Sequence, residues 1–547
     1  MDLTTNLAAI RKWFKVTFVD LAKELRWSYA PPLMVYLAAG LQGLSAIVGT
    51  FFVKEYLSLS AAFLAGLAFW AGLPWALKMP IGHLVDIIWR WKALLVYFGA
   101  SLIAASLLIM YGLIAHTEAM RAIMPVEAWY VLAVLLSPLG YVVQDVVADA
   151  MTVEAVPVID EYGKPLPEDV IKAQHTTMQM LGRFAIISGL VIVAALNITM
   201  FRDVQSLTEA EKVDIYATIY KIALVIPLVS VAGVILNDIL LRRRYRRLIA
   251  SGLDSSEADI LIFRGQEETR PNWWIFGGTG VFGAFTLFMG LADVPLAQEM
   301  VFLGSTAIIV FLMSKLLQEL PPDKARMLVG TAIILFVFRA VPLPGPGQTW
   351  FEIDQLGFDQ QFLSVLSLIT ALLALAGMVL LRPLMANRPI AYIVSLLAIV
   401  GGILSLPGIG LYFGVHEITS RWTGGVVDAR FIAIVNTMLE SPLGQVAMIP
   451  LLAWIARNAP NHLKATFFAV MASFANLALS ASSLLTRYLN EFFVVTREVR
   501  DRSTGVIEIP ADYSMLGWLL IIVALIGVCA PLLAVWLIQR TPLRTTE

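Results

Sequence analysis

The chain has little charge, one cysteine and few histidines. Only 14% of its 547 residues are Asp, Glu, Lys or Arg, whereas soluble domains carry about 25%. The single cysteine, Cys529, excludes an intramolecular disulfide and a cysteine-rich metal site. The five histidines are scattered without paired helical spacing, so no catalytic or metal-binding set is visible. We therefore expect no metal, no cofactor and no catalytic residues, which leaves a polytopic membrane enzyme as the disfavoured alternative.

The chain is rich in apolar sequence instead. Hydrophobic residues make up 59% of it and occur in blocks of about 20, the length that crosses a bilayer as a helix. Backbone groups in lipid must be bonded internally, and strand-like alternation is absent, so we predict an all-α polytopic membrane protein. The fourteen predicted transmembrane helices lie near 31–53, 59–81, 93–115, 128–150, 173–200, 216–241, 273–292, 299–317, 327–343, 361–382, 389–412, 430–456, 465–490 and 514–538.

Basic residues are concentrated in alternate connections between these blocks. The largest cluster is Arg242, Arg243, Arg244, Arg246 and Arg247. This asymmetry places both termini in the cytoplasm. The segment before the first span mixes charges with aromatic residues throughout, which indicates an interfacial amphipathic helix or a soluble leader rather than a signal peptide. The predicted domains are this segment (1–30), a six-helix bundle (31–241), a basic linker (242–272), an inserted transmembrane hairpin (273–317) and a second six-helix bundle (327–540).

An internal echo supports this division into two halves. The sequence Ser-Pro-Leu-Gly occurs at Ser137–Gly140 and again at Ser441–Gly444, in the fourth span of each half. Parallel repeats of six helices are the architecture of major facilitator transporters, whose substrate binds near the midplane between the halves. Pro and Gly in both echoes predict local helix breaks.

Acidic residues inside the spans are the main functional candidates. Asp145 and Asp149 are spaced i, i+4, which aims both along one helix face. A carboxylate in hydrocarbon is costly unless it meets a cavity, a cation or a proton. Arg183, near mid-bilayer, is the predicted partner of these acids, in a structural salt bridge or in a coupling role. Glu440, near the middle of its span, is a further protonation candidate. The alternative for Asp145 and Asp149 is that they lie in the interfacial layer and pair with nearby arginines.

Four other polar residues are candidates for substrate contact. Arg339 lies late in its span, where it either binds an anion or extends to the membrane surface. Gln42, Asn436 and Asn476 either hydrogen-bond substrate or bond neighbouring helices.

The turn after the second span carries a further pattern. Gly82 and Asp86, followed by Arg90, resemble the major facilitator signature, although Ile87 and Trp89 depart from it. The resemblance implies a gating contact between an aspartate at a helix end and a cation. The alternative is an ordinary charged turn.

Several short motifs resemble the folate–biopterin transporter family, a branch of the major facilitator superfamily. They are Gly40–Gly43 (GLQG), Pro74–Lys78 (PWALK), Asp145 and Asp149 with Ala150 and Glu154, Gln355–Phe358 (QLGF), and Ala465–Ala469 (ATFFA) with Asn476. The family commonly has glutamate where Lys464 stands, and the inserted hairpin is a second departure. The related muropeptide permeases share the Gln-Asp and Asp-Ala features.

This resemblance implies a secondary active transporter that moves a folate or pterin-like organic anion by alternating access. Proton coupling is expected, because no nucleotide-binding domain is present to use ATP. The expected partners are an anionic small molecule, protons and the lipid bilayer, with no nucleic acid, and the expected functional unit is a monomer. The expected location is the plasma membrane, which in a bacterium is the inner membrane. The alternative is a permease for another solute such as a muropeptide.

Replacement of one acid tests this interpretation without fixing the substrate. We expect Asp145→Asn to abolish gradient-driven accumulation and to leave the protein folded, because the amide cannot exchange a proton. The measurement is accumulation by the folded variant in a proton gradient. Full accumulation by a well-expressed variant would remove Asp145 from the mechanism.

Overall fold

The structure is a computed structural model that describes most of the chain. The described residues are 26–57, 59–76, 78–156, 166–259, 281, 284–286, 288–290, 294–318, 320–381, 388–443, 464–500 and 507–545. Residues 1–25 of the predicted N-terminal segment (1–30), the end of the basic linker and most of the first hairpin helix lie outside them.

The described residues before 260 are mainly helical. Pro31 and Pro32 open the first helix, where the missing amide hydrogens are not needed. Thr208 and Glu211 form a capping box ahead of another, and these bonds hold the pKa of Glu211 below its usual range. The helices are α1 (Ala30–Leu41), α2 (Ala46–Tyr56), α3 (Ala61–Ala76), α4 (Lys78–Ile87), α5 (Ala93–Ala115), α6 (Thr117–Arg121), α7 (Val126–Ala155), α8 (Glu168–Met200), α9 (Glu209–Ala223), α10 (Val225–Ala250) and α11 (Ser255–Asp259).

The described residues after 293 continue the helical pattern with one short addition. An antiparallel ribbon, β1 (Val499–Arg500) and β2 (Ile507–Ile509), lies between the last two helices, and the sequence did not predict it. The helices are α12 (Ala297–Leu317), α13 (Pro322–Arg339), α14 (Pro346–Asp354), α15 (Gln360–Leu380), α16 (Ile390–Tyr412), α17 (Val415–Trp422), α18 (Ala429–Glu440), α19 (Lys464–Phe492) and α20 (Leu516–Gln539).

Eight helical segments of the described residues are long and apolar enough to cross a membrane, and two shorter ones are apolar. They confirm a helical multi-pass membrane protein, while the count of fourteen stays a prediction. The eight are Trp27–Lys54, Ala93–Ala115, Val126–Thr152, Leu181–Met200, Glu209–Ala250, Gln360–Gly377, Ile390–Tyr412 and Leu516–Gln539; the shorter two are Ala61–Trp75 and Ala297–Phe311.

Two hydrophobic cores organise the helices. The first joins buried side chains of α1, α2, α5, α7, α8 and α9, and the second joins those of α12, α13, α16 and α20. The helices before 260 meet the later ones chiefly where α3 packs on α19 and α8 packs on α15. Helix α12, from the predicted hairpin, packs on α19 and also contacts α3. It therefore touches both sets of helices.

The bundle has two ends, which we call the Arg497 end and the linker end after residues that they carry. The Arg497 end carries residues 53–57, 59, 350–354, 493–500 and 507–515, and hydrogen bonds of Arg497 and Tyr513 join these segments. The linker end carries residues 89–92, 154–156 and 242–259; there Lys92 pairs with Glu154, and the arginine cluster lies on the last turns of α10.

Glycines allow two of the closest helix crossings. A Cβ at Gly40 of α1 would overlap the carbonyl of Ile186 on α8, and Gly189 meets Gly40 from the other side. On α5 and α7, a Cβ at Gly99 would lie 2.6 Å from the carbonyl of Gly140. Small residues at such crossings let helix backbones approach closely, which explains the first glycine of the GLQG motif.

The predicted helix break at the first Ser-Pro-Leu-Gly echo is wrong. Helix α7 runs without interruption through Pro138; neighbouring helices in a bundle re-satisfy the backbone groups that proline frees. At the second echo α18 ends at Glu440, and Ser441–Leu443 form a 3-10 turn. Gly444 lies outside the described residues.

Adding a methyl group at a close crossing should destabilise the protein. We expect Gly40→Ala to lower stability by about 1–3 kcal/mol, since the new Cβ must push α1 away from α8. Gly401 of α16 is the matched control, because its Cβ would meet open space. Gly401→Ala should be neutral or stabilising by up to about 1 kcal/mol through helix propensity. Thermal unfolding in detergent measures both, and equal melting temperatures would contradict the crossing.

Candidate functional site

The centre of the candidate site is one lysine shared by two aspartates. Lys78 Nζ lies 2.5 Å from Asp145 Oδ2 and 2.6 Å from Asp149 Oδ2. Lys78 stands at the start of α4, and the two acids stand one turn apart on α7, so the spacing of four residues aims both at the same ammonium group. The side chains of Lys78 and Asp145 are 22% and 17% exposed, whereas that of Asp149 is 50% exposed. Asp149 is therefore the acid that solvent reaches more easily.

A tyrosine holds the more exposed acid in place. Tyr36 of α1 donates its hydroxyl hydrogen to Asp149 Oδ1 at 2.6 Å. The ring of Tyr36 packs against α8, where a Cβ at Gly182 would lie 2.9 Å from it. Three helices therefore contribute to the orientation of Asp149.

Arg183 is not the ion-pair partner of the two acids that the sequence predicted. It is exposed on α8, and it forms no ion pair with any carboxylate of the described residues. Its charge nevertheless acts electrostatically on Asp145 and on Tyr36. The ion pair expected for Arg183 belongs to Lys78 instead, because α4 brings that ammonium group directly against α7. Arg183 is left as a second cation beside the acids, and its coupling role stays a prediction.

A separate ion pair lies at the linker end. Lys92 Nζ is 3.0 Å from Glu154 Oε1, and both side chains are 9% exposed. Asn237 of α10 donates to the other oxygen of Glu154 at 3.1 Å. The pair joins the start of α5, the end of α7 and α10, so Glu154 has a structural partner of its own and does not share the Lys78 site.

Two of the predicted substrate contacts bond neighbouring helices. Arg339 Nε donates to the carbonyl of Ala475 on α19 at 3.2 Å. Asn476 Nδ2 donates to the carbonyl of Trp75 near the end of α3 at 3.1 Å, which joins the two sets of helices. The contact of Asn476 matches its helix-bonding alternative, whereas that of Arg339 is neither of the two contacts expected for it; donor groups remain on both side chains.

Three other candidates lie apart from the Lys78 site. Glu440 is exposed at the last residue of α18, and Gln42 is exposed in a 3-10 turn, Gln42–Ser45, between α1 and α2. Asn436 of α18 has a buried side-chain oxygen without a hydrogen-bond partner, an acceptor that a ligand donor can satisfy.

The predicted gating motif is described only in part. Gly82 lies on α4 with Val146 of α7 near its face, and Arg90 is exposed in a 3-10 turn, Trp89–Trp91. The side chain of Asp86 lies outside the description, so its gating role stays a prediction. Within the described ranges, no group of three or more His, Cys, Asp or Glu could hold a metal ion.

Sequence reasoning overlooked Lys78 and Tyr36 as site residues. Lys78 ends the PWALK motif within an apolar block. A lone lysine in such a block predicts a buried partner of opposite charge. Tyr36 carries no comparable signal. Glu352 on α14 was overlooked too: burial raises the pKa of this carboxyl, which accepts a hydrogen bond from Gln348 at 2.8 Å.

Removal of the shared lysine should leave two facing carboxylates without a counter-charge. We expect Lys78→Met to destabilise the protein by up to about 3 kcal/mol at neutral pH. Protonation of one carboxylate removes their mutual repulsion, so the loss should shrink as the pH is lowered toward 5. The measurement is the melting temperature of variant and wild type across that range.

Lys212 provides the matched control for this variant. It pairs with Glu209 at 2.8 Å on a helix surface where the acid is 70% exposed. Lys212→Met should cost about 0.5 kcal/mol or less at either pH. A Lys78→Met protein as stable as this control would contradict the central role of the shared lysine.

Known proteins resemble this chain in sequence and in fold. The sequence profile of the BT1 family matches residues 39–546. A folate-biopterin transporter of Synechocystis sp. is 22% identical over 471 residues, which are 85% of this chain and 75% of that protein. The solved structure of a POT family transporter in complex with 5-aminolevulinic acid has a TM-score of 0.57 at 12% identity, covering 93% of this chain and 95% of that one. A nucleoside transporter has a TM-score of 0.52 at 11% identity, covering 93% and 99%.

The family profile spans nearly all of the chain, and the structures that share its fold are transporters. The resemblance found in the short motifs is thereby confirmed. The chain belongs to the BT1 family, and it is a multi-pass membrane transport protein of the major facilitator type rather than an enzyme.

Proposed function

We propose that this protein is a secondary active transporter that moves a small organic anion, a folate or pterin, across the plasma membrane by alternating access coupled to protons. The observation that carries the proposal is the Lys78 ammonium group shared by Asp145 and Asp149, with Arg183 beside them. Titratable groups inside membrane spans mark ion and proton pathways. The folate-biopterin transporter among the relatives supports the substrate class.

The charges of the site suggest how proton and anion bind together. With both aspartates ionised, Lys78 is held by two acceptors. A proton on the more exposed Asp149 removes one acceptor, so the lysine can turn toward an incoming carboxylate. Arg183 supplies a planar donor that binds carboxylates through two parallel hydrogen bonds. One proton and one carboxylate then enter the site with no net change in its charge.

The other candidate residues have proposed places in this cycle. Glu440 is a second protonation site on α18. Arg339 contacts the anion after its side chain has separated from the carbonyl of Ala475. Gln42, Asn436 and Asn476 bond the polar edges of the substrate. Gly82, Asp86 and Arg90 form the gating contact at the linker end.

The proposed architecture is two six-helix bundles (31–241 and 327–540) with an inserted hairpin (273–317), fourteen transmembrane helices in all. The arginine cluster on α10 and the linker (242–272) support a cytoplasmic location of the linker end. The Arg497 end then faces outward. We place the protein in a bacterial inner membrane as a functional monomer, with both termini cytoplasmic.

Uptake into proteoliposomes tests the proposal. We expect labelled folate or a pterin to accumulate only when a proton gradient is imposed. Arg183→Gln should raise the KM by roughly tenfold or more, because a charge-assisted hydrogen bond to substrate contributes about 1.5–3 kcal/mol. Arg202→Gln is the control, since the Arg202 side chain is 81% exposed and should leave the KM unchanged.

The outcomes separate the parts of the proposal. Equal uptake without a gradient would remove proton coupling. No uptake of either compound by folded protein would remove the substrate class and direct the test to muropeptides. An unchanged KM in Arg183→Gln would remove Arg183 from anion binding.

A further inference from the structure

One arginine binds the backbone of a connection that is far away in sequence. Arg497 lies between α19 and β1 and is only 2% exposed. Its Nε donates to the carbonyl of Lys54 at 2.6 Å, its Nη1 to that of Leu59 at 2.9 Å, and its Nη2 to that of Val53 at 2.6 Å. The carbonyl of Leu57 also accepts from Nη2. A single guanidinium thus bonds the end of α2 and the turn that follows it.

The end of a helix is a favourable place for such a contact. The last carbonyls of α2 carry the negative end of its dipole, and that of Val53 accepts from the amide of Leu57 as well as from Arg497. The guanidinium is planar with five donors, so it can satisfy several carbonyls at once. Arg497 therefore caps α2 from the other half of the protein.

A second contact lies beside the first. The ring of Trp350 on α14 stacks 4.5 Å from the Arg497 guanidinium. Lys54 forms an ion pair with Asp354 at the end of α14. The hydroxyl of Tyr513 donates to the same carboxylate at 2.5 Å. We call Arg497, Trp350, Lys54, Asp354 and Tyr513 the Arg497 gate.

Helix α19 holds α14 in the position that this gate requires. The segment between α13 and α14 contains two prolines, with a third at the first position of α14, and it cannot bond itself as a helix. Three polar side chains spaced four apart on α19 bond it instead: Ser482 to the Val341 carbonyl (2.6 Å), Thr486 to the Leu343 amide (2.9 Å) and Asn490 to the Pro344 carbonyl (3.1 Å).

Further contacts between the two sets of helices occur at the same end. Gln298 of α12 donates to the carbonyl of Gly66 on α3 at 3.2 Å, and Arg487 of α19 donates to Gln298 at 3.2 Å. Gln360 at the start of α15 donates to the hydroxyl of Tyr216 on α9 at 2.7 Å. At the Arg497 end, polar side chains of four later elements therefore contact the helices before 260. These elements are the segment between α19 and β1, α14, α12 and α15.

The energetics of Arg497 suit a contact that must also break. Its close acceptors are neutral carbonyls, so its desolvation is only partly offset, and burial lowers the pKa of Arg497 to about 10. The group stays charged at neutral pH and regains hydration when it is released. A guanidinium in an ideal buried ion pair with a carboxylate would lose far more on separation.

We propose that the Arg497 gate closes the outward end of the protein in one state of the transport cycle and separates in the other. The proposal rests on alternating access in the proposed function. It differs from a permanent structural cap, because a cap would keep the same geometry in both states.

Distances between two spin labels test the gate in the full-length protein. Glu118 on α6 and Thr423 after α17 are both exposed, and they belong to the first and the second half of the chain. They carry the labels as Glu118→Cys and Thr423→Cys, in a Cys529→Ser background because Cys529 is exposed. We expect Arg497→Ala to raise the ratio of long to short distances in lipid nanodiscs by about tenfold or more, equivalent to about 1.4 kcal/mol. Asp354→Asn removes the charge that pairs with Lys54 and leaves an oxygen that can accept from the Tyr513 hydroxyl, so it should give a smaller shift in the same direction.

Arg421→Ala is the control, because Arg421 lies at the same end with its side chain 78% exposed. An unchanged distribution in both gate variants, or an equal shift in the control, overturns the proposal. If Arg497→Ala does not fold, Asp354→Asn alone decides between these outcomes. The distances are read without substrate, so a failure of folate uptake leaves this result independent of the proposed function.

Discussion

The charge balance of one lysine and two aspartates is the constraint on which the candidate site depends. An uncompensated charge inside a membrane protein is costly, and two like charges on one helix turn are costlier still. Lys78 resolves this by lying within 2.6 Å of both acids. The position of α4 against α7, and of α1 behind them through Tyr36, follows from that requirement. The same balance makes the site responsive, since one proton or one anion changes which partners the lysine keeps.

The two ends of the molecule use polar groups in different ways. At the linker end the Lys92–Glu154 pair joins helices of the same half, which move together in a rocking mechanism. At the Arg497 end polar groups join the two halves, through hydrogen bonds from side chains to backbone carbonyls. Apolar packing of α3 on α19 and α8 on α15 lies between them. This division is what a protein needs when one half must turn against the other.

Helix α19 connects these features. Near its middle Asn476 bonds the other half, and toward the Arg497 end three polar residues hold the proline-rich segment that positions Trp350 and Asp354. A proline-rich stretch cannot satisfy its own carbonyls, so it needs an external donor, and a helix with polar groups every four residues supplies one. Helix α12 packs on the same element, and Arg487 of α19 bonds its Gln298, so α12 contacts α19 toward the Arg497 end.

The sequence by itself determined the membrane character, the helical class and the two acids, because these follow from local properties: apolar blocks of bilayer length, and carboxylates four residues apart on one helix face. It also carried the family resemblance. Only the tertiary structure decided which cation meets the acids, since Lys78 and Asp145 are 67 residues apart and Arg183 was an equally good candidate by charge. It also decided that Pro138 leaves α7 unbroken and that Arg497 binds carbonyls more than 400 residues away. The physical reason is that charge pairing and capping across helices depend on which surfaces pack together, and no local pattern specifies that.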